Sequence, residues 1–128
     1  PSVTQGVDYS SLFLDPASKS VKRPDAALYI QNLDGDKDKD GLVLNYFPSA
    51  RGLKTHRYTM AIYITRDYKR KEILLFDDQN DPYQLNNIAD KPESRKIIKQ
   101  LTKRMGQILY EIEDPWATEG ILAKVAVK

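Results

Sequence analysis

The chain of 128 residues contains no cysteine. Disulfides, thiolate nucleophiles and cysteine metal sites are therefore excluded together, because each of them needs a thiol sulfur. Histidine is nearly absent as well, since His56 stands alone and no G-x-S-x-G motif accompanies it. A Ser-His-Asp site would have to be built around this one imidazole. A lone histidine flanked by Lys54 and Arg57 is more typical of a polar surface, and a substrate contact is its alternative role.

Long apolar runs and an excess of one charge are also missing. No stretch of apolar residues approaches the length of a membrane span. The 20 Lys and Arg residues oppose 18 Asp and Glu residues, which leaves a net charge of +2. That charge is too small for a polyanion-binding footprint unless the cations gather on one face. With 41% apolar and 30% charged residues, the composition is typical of a globular domain, and we expect neither a nucleic-acid nor a membrane partner.

Residues 1–24 show neither a helix nor a strand period. They are rich in Ser, Lys and Pro, which predicts a mostly irregular arm. We expect its apolar cluster to dock on another surface; the cluster comprises Tyr9, Leu12, Phe13 and Leu14. The chain begins at Pro1 without a methionine or a leader, and we expect a processed or excised piece of a longer protein.

Residues 25–128 show the alternation of an antiparallel sheet of about four strands. The predicted strands are 26–31, 42–47, 52–67 and 72–76. The segment 52–67 alternates most clearly, because Met60 and Ile62 fall on one face and Ala61 and Tyr63 on the other. Residues 67–71 are a polar hairpin loop before the last strand.

One long helix follows the predicted sheet. Apolar residues between Ile97 and Ile112 recur at steps of one, three and four, which predicts a helix packed on one face of the sheet. Asp90 and Glu93 resemble a capping box at its start, and Asp114 with Pro115 ends it. The tail 121–127 is either an edge strand or a docked extension. The fold class is therefore α+β, with a sheet and a long C-terminal helix in two layers.

Two acidic stretches invite a metal interpretation. Residues 34–41, DGDKDKDG, match the first half of a calcium loop, but Phe47 stands where the bidentate Glu is required. This stretch is interpreted as a loop tip, and a bound ion stays the alternative. Residues 75–87, LFDDQNDPYQLNN, have no histidine nearby, and their acids and amides suit backbone capping instead. We therefore expect no metal ligand in this chain.

The capping interpretation makes detailed predictions for residues 75–87. The Asn80-Asp81-Pro82 tripeptide initiates a turn, because Asx side chains cap backbone amides and proline fixes the next φ. Tyr83 and Leu85 are expected to tuck back onto the core, and Asn86 or Asn87 opens the turn before the helix. The basic segments 69–71 and 95–104 are interpreted as solvated faces.

Four ordered segments together resemble the C-terminal subdomain of a sulfatase of the alkaline phosphatase superfamily. They are TQGVDYSSLFL near the start, RGLKTHRYT at 51–59, EILLFDDQNDPYQLNNIAD at 72–90, and the helix ending in DPW at 114–116. The resemblance spans nearly the whole chain in the right order. The sequence departs from the family at Lys54, Thr59 and Phe76, where Arg, Lys and Tyr are usual.

Sulfatases work through a Cys or Ser in C/S-x-P-x-R, which is converted to formylglycine beside a calcium-type ion. No residue of this chain starts that motif. The resemblance therefore implies a fragment without a catalytic centre or cofactor of its own, in which residues 1–24 lead from the absent catalytic domain and residues 25–128 form the subdomain. Its implied partner is the N-terminal catalytic domain of its parent chain, which would use calcium and formylglycine. A periplasmic or extracellular location is implied too.

The resemblance also implies where substrate contacts would lie. We expect the fragment to be structural and to line the rim of the substrate cleft, with Tyr46, Arg51, Lys54 and His56 holding a sulfated carbohydrate or aryl sulfate. We expect the isolated piece to form a dimer through its uncovered apolar patch. Two alternatives stay open. One is a stand-alone antiparallel-sheet module that binds carbohydrate, nucleic acid or protein, and the other is the C-terminal part of a phosphodiesterase or phosphonate hydrolase.

Overall fold

A computed structural model describes residues 9–15, 17, 24–31, 49–64 and 71–125, and of Leu12 only the backbone. The elements in chain order are α1 (Ser10–Leu14), β1 (Ala26–Gln31), β2 (Ser49–Thr55), β3 (Tyr58–Ile64), β4 (Lys71–Asp77), α2 (Ser94–Glu111), α3 (Pro115–Thr118) and α4 (Ile121–Val125). The four strands form one antiparallel sheet in the order β1-β2-β3-β4. The α+β class and the single long helix are thus confirmed.

The predicted strand 52–67 is wrong as one strand, because the chain folds back within it. Residues up to Thr55 belong to β2, and β3 begins at Tyr58. The Thr55 Oγ1 accepts hydrogen bonds from the backbone nitrogens of Tyr58 (2.9 Å) and Arg57 (3.4 Å). A threonine hydroxyl therefore organises this turn without the Asn-Gly or Asp-Gly signal that usually marks a two-residue hairpin.

The core lies between the sheet and α2. Met60, Ile62 and Ile64 of β3 point toward the helix, as the alternation predicted, and are 0 to 3% exposed. They form one cluster with Leu53, Leu75, Leu101, Met105 and Leu109. The apolar stripe of α2 is therefore the surface that covers the sheet.

The predicted capping box at Asp90 and Glu93 is wrong. Helix α2 begins at Ser94, and the Glu93 side chain forms no capping hydrogen bond. Backbone turns bring the chain into the helix instead, because Lys91 N donates to Ile88 O (3.2 Å) and Ser94 N donates to Lys91 O (3.0 Å).

The end of the long helix falls near the predicted Asp114-Pro115 break. Helix α2 stops at Glu111, and Glu113 has a left-handed φ of 57°. Asp114 then caps α3, because its Oδ1 accepts a hydrogen bond from Trp116 N (2.9 Å). The tail forms α4, whose Leu122 and Val125 are buried. Of the two interpretations of the tail, the docked extension is the correct one.

Other predictions concern the arm and the loops. The arm contains the short helix α1, and its Phe13 and Leu14 are 87% and 88% exposed, so these two side chains do not pack on the described residues. The predicted strand 42–47, the acidic loop 34–41 and loop residues 67–70 lie outside the described residues. In the part that is described, no helix is long and apolar enough to cross a membrane.

Candidate functional site

Strand β2 carries two of the four predicted contact residues, Arg51 and Lys54. These two residues are three positions apart in one strand, so their side chains lie on opposite faces of the sheet. His56 is exposed at the turn that follows, and Tyr46 lies outside the described residues. The structure therefore does not bring Arg51 together with Lys54 or His56.

Arg51 lies on the helix-facing side and is 2% exposed. Its Nε and Nη2 donate to both carboxylate oxygens of Asp114 at 2.8 to 3.1 Å. Its Nη1 donates to the carbonyls of Gln31 (3.0 Å) and Ala50 (2.8 Å). The guanidinium also lies 5.2 Å from the centre of the Trp116 ring. This buried arginine therefore ties the sheet to α3, with a geometry that only a planar fork of donors provides.

Lys54 belongs to a polar network on the opposite face of the sheet. Its Nζ donates to Asp78 Oδ2 (2.7 Å) and Thr59 Oγ1 (3.1 Å). The Thr59 hydroxyl donates to Asp78 Oδ2 (2.7 Å), and Gln84 Nε2 donates to Asp78 Oδ1 (2.8 Å) and Thr59 Oγ1 (3.1 Å). We call these four residues the Lys54 network. The Lys54 side chain is 59% exposed within it, so its ammonium still meets solvent.

Asp78 is the acceptor at the centre of the Lys54 network. Burial acts to raise the pKa of its carboxyl, but hydrogen bonds from Lys54, Thr59 and Gln84 outweigh burial and hold the pKa below the ordinary value. The carboxylate therefore stays charged and pairs with the Lys54 ammonium at neutral pH. Gln84 reaches the network from a left-handed backbone with φ of 54°, a conformation that costs a non-glycine residue free energy and needs such anchoring.

Arg57 and Asp77 form a second ion pair at the same end of the sheet. Arg57 Nη2 lies 2.8 Å from Asp77 Oδ2, and Asn80 Nδ2 donates to the same oxygen (2.9 Å). These contacts, led by the hydrogen bond from Arg57, lower the pKa of Asp77 to about 2. Asp77 and Asp78 stand where the strand passes into the turn, as predicted, and Asp77 accepts a hydrogen bond from the backbone of Gln79. Both carboxylates also pair with cations of the β2–β3 hairpin, which was not predicted.

The rest of the acidic stretch does serve as caps. Asp81 Oδ2 accepts from Asn86 N (2.7 Å), and Asn87 Oδ1 accepts from Leu75 N (2.9 Å) and Ala89 N (3.1 Å). The turn chemistry predicted for Asp81 and Asn87 is confirmed. Asn87 also forms a hydrogen bond that was not predicted: its Nδ2 donates to the carbonyl of Ile73 (3.2 Å) and so holds the loop on β4.

Tyr83 and Leu85 were expected on the core, and this prediction is wrong. They are 82% and 79% exposed. The hydrogen bonds that anchor the loop come from Asp81, Gln84 and Asn86, which flank and separate these two residues. The anchored side chains fix the backbone above the sheet and leave the apolar ones in solvent.

The partners of Arg51 and Lys54 could not be predicted from the sequence. Asp114 was assigned only to the end of a helix, and Asp78 only to a turn. A signal for Arg51 is its position two residues before Leu53, which places both side chains on the buried face of an extended strand, where a cation needs a counterion.

A pH titration tests the Arg57–Asp77 pair. Asp77 has a folded pKa of about 2 against an ordinary 3.8, so its contribution to stability is complete above pH 3.8 and is lost as the pH falls toward 2. The difference in free energy of unfolding between the parent and Asp77→Asn should therefore shrink over that window in urea titrations. Glu93→Gln is the control, since Glu93 is exposed and forms no cap. An Asp77→Asn difference that stays constant down to pH 2 would contradict the pair.

The face of the sheet opposite α2 is mostly small and apolar. Its register positions include Ala27, Tyr29, Ala50, Gly52, Ala61, Tyr63, Leu74 and Phe76. A side chain at Gly52 would place its Cβ 3.0 Å from the carbonyl oxygen of Met60 and 3.4 Å from Tyr29 Cβ, so glycine lets the tyrosine lie close to the strand. Tyr29 is 48% exposed. We call this surface the outer sheet face.

Two known proteins are similar in sequence to this chain. An endo-4-O-sulfatase of Bacteroides thetaiotaomicron is 57% identical over 124 residues, which are 96% of this chain and 24% of that protein. The homologues of this chain are sulfatases. An ulvan-active sulfatase of Formosa agariphila is 28% identical over 81% of this sulfatase-like chain and 21% of its own length. No family profile matches the sulfatase-like chain.

A solved structure agrees with the sequence relatives. It comes from work on the metabolism of multiple glycosaminoglycans by Bacteroides thetaiotaomicron and has 53% identity and a TM-score of 0.69, over 94% of this chain and 25% of its own. The sulfatase-like chain thus spans about a quarter of the length of the relatives it matches. This partial coverage fits a C-terminal sulfatase subdomain.

The sequence does not fit formylglycine, and the described residues do not fit the calcium ion of sulfatases. The sulfatase-like chain has no cysteine, and none of its serines begins an S-x-P-x-R motif. Among the described residues, no three carboxylate or imidazole side chains gather as metal ligands. Asp77, Asp78 and Asp81 already accept hydrogen bonds from Arg57, Lys54 and Asn86. No catalytic step is assigned to this chain.

Proposed function

We propose that the chain is the C-terminal subdomain of a sulfatase that acts on sulfated carbohydrate, and that the catalytic centre lies in the N-terminal part of the same protein. One observation carries the proposal: nearly all of the chain aligns with an endo-4-O-sulfatase at 57% identity, but only with 24% of that protein. Sulfated carbohydrate as the substrate class is supported by the sulfatase name of that relative together with the glycosaminoglycan setting of the related structure, since the name alone specifies no carbohydrate.

The outer sheet face is the surface that we assign to the catalytic domain. Small residues bring the backbone close to a partner, and Tyr29, Leu74 and Phe76 offer apolar contact area. The opposite face cannot serve, because α2 covers it with Met105 and Leu109 at 0% exposure. Ala50 on this face is already buried, so docking would cover the exposed part of the face around Tyr29, as in other layered α+β domains.

The rim role falls to the end of the sheet that carries Lys54 and His56. Both are exposed at the β2–β3 turn, and the Lys54 ammonium is positioned by Asp78 and Thr59 rather than swinging freely. A positioned cation and an imidazole donor can hold a sulfate or carboxylate group of a sugar away from the reacting sulfur. Arg51 would act on the rim only indirectly, by stabilising the fold, since its donors bond to groups inside the chain. Tyr46 stays a candidate from the resemblance alone.

Replacing the rim residues in the full-length parent enzyme tests this role. Lys54→Ala and His56→Ala should each lower kcat/KM on sulfated saccharides by about fivefold, because one exposed charged contact contributes up to about 1 kcal/mol. The loss should appear mainly in KM, since the contact is made equally in the ground and transition states. Lys71→Ala is the matched control, an exposed lysine at the start of β4. Unchanged kcat/KM on every sulfated substrate would remove the rim role.

A further inference from the structure

Helix α2 carries a one-sided distribution of charge. Its sequence contains five cations and a single acid, Glu111 in its last position. Lys96, Lys99 and Lys103 follow the i, i+3, i+7 spacing, which places them on one face of a helix. All three are exposed, and the buried Leu101, Met105 and Leu109 lie on the opposite side. Although the net charge of the chain is only +2, cations are thus concentrated along one line.

The three lysines have no counterions in the part of the chain that the structure describes. Arg104 pairs with Asp25 at 2.8 Å, whereas no ion pair joins Lys96, Lys99 or Lys103 to a described acid. Like charges three or four residues apart destabilise a helix by about 0.2 to 0.5 kcal/mol per pair. Cations in its first half also oppose the helix dipole. Folding alone therefore disfavours the arrangement, and a solvated face would be better served by interspersed acids.

The lysine line continues into a groove that contains one aromatic residue, Tyr110. The next positions on the same face are Gln107 and Tyr110, and the Tyr110 side chain is 70% exposed. The groove, of about 640 Å³, lies beside them; its lining includes Lys103, Gln107, Tyr110 and the acid Glu111 of α2, and Leu122 and Ala123 of α4. A Cβ at Gly106 would meet Leu122 at 3.0 Å, so glycine permits the close approach of α4 that shapes this groove.

We propose that this face is a second binding surface, outside the substrate cleft, for a sulfated polysaccharide chain. The lysines would bind sulfate or carboxylate groups as point charges, Tyr110 would stack on a sugar ring, and Gln107 would bond to hydroxyls. From Lys96 to Tyr110 the helix rises about 21 Å, which suits a linear polymer better than a single anion. The sulfated-sugar class rests on the proposed function, whereas the surface itself rests on the charges and the groove.

Binding of polymers to this chain alone tests the proposal. The probes are chondroitin sulfate, its unsulfated counterpart chondroitin, and single-stranded DNA, titrated by calorimetry at physiological ionic strength. Chondroitin sulfate should bind more tightly than the other two. Lys99→Gln with Lys103→Gln should weaken its binding about tenfold, since two exposed charged contacts together contribute about 1.4 kcal/mol. The matched pair Lys71→Gln with Lys91→Gln removes the same charge elsewhere and should change affinity less than about twofold.

Tyr110 provides an independent arm of the experiment. Tyr110→Ala should weaken binding several-fold, and Tyr110→Phe should restore it, because the ring and not the hydroxyl stacks on the sugar. Equal losses for the two lysine pairs, unchanged binding by Tyr110→Ala, or DNA binding as tight as that of chondroitin sulfate would each overturn the proposal. The readout involves no turnover, so a parent protein without sulfatase activity would overturn the proposed function and leave the polymer-binding measurement to decide this surface.

Discussion

Asp114→Ala should lower the free energy of unfolding by about 3 to 5 kcal/mol, the range for breaking a buried ion pair from one side. The substitution leaves the Arg51 guanidinium at 2% exposure without its carboxylate partner. It also removes the cap of α3, which contributes about 1 kcal/mol more. Since a small domain has only about 5 to 15 kcal/mol of stability, the variant should be at the edge of folding.

Urea unfolding followed by the fluorescence of the single Trp116 measures this effect, because the indole contacts the Arg51 guanidinium. Arg51→Lys should not restore stability, since an ammonium cannot reproduce the two-pronged contact with Asp114. Arg57→Ala is the matched control: it breaks an exposed arginine–aspartate pair, whose contribution is about 1 kcal/mol or less. An Asp114→Ala variant as stable as Arg57→Ala would mean that the Arg51–Asp114 pair does not hold α3 on the sheet.

The stability of a variant with Arg51 replaced would also distinguish two interpretations of this residue. The resemblance suggests that Arg51 contacts substrate, whereas the structure buries its donors against Asp114, Gln31 and Ala50. If Arg51 acts through the fold, its replacement lowers the stability of the isolated chain in the absence of any substrate. A purely substrate-binding arginine would leave that stability unchanged.

The sheet and helix layers of this fold could be predicted because the spacing of apolar residues along the chain indicates which face of each element is buried. The spacing of Met60, Ile62 and Ile64 on β3 and of Leu101, Met105 and Leu109 on α2 predicts which faces meet, and the structure confirms it. Periodicity does not reveal turns that lie inside a continuous pattern. The reversal at His56 and Arg57 contains no glycine, asparagine or proline, and depends instead on the Thr55 hydroxyl.

Long-range pairing explains most of what the sequence did not reveal about the candidate site. Arg51 and Asp114 are 63 residues apart, and Lys54 and Asp78 are 24 apart. A single sequence contains no information on which acid meets which cation, so each carboxylate was assigned to the nearest backbone turn. Local capping was correct where donor and acceptor lie within a few residues, as in the bond from Asn86 N to Asp81.

The largest functional effect concerns catalysis, because we expect no sulfate release from this chain alone. Enzymes accelerate slow hydrolytic reactions by about 10⁶-fold to 10¹⁷-fold or more, and this needs a nucleophile with preorganised charge around it. The whole chain has one histidine and no cysteine, and it lacks the C/S-x-P-x-R motif. The carboxylates of Asp77, Asp78 and Asp114 are each engaged with a basic side chain. A full sulfatase acceleration should therefore be absent from the isolated chain.

The most direct measurement compares sulfate released from chondroitin sulfate by equal concentrations of the isolated chain and of its full-length parent, with circular dichroism to establish that both are folded. The folded chain should release no sulfate above the buffer blank, and the parent should turn over. Turnover by the chain alone, or a folded parent that cleaves no sulfate ester, would contradict the assignment of this chain as a non-catalytic sulfatase subdomain.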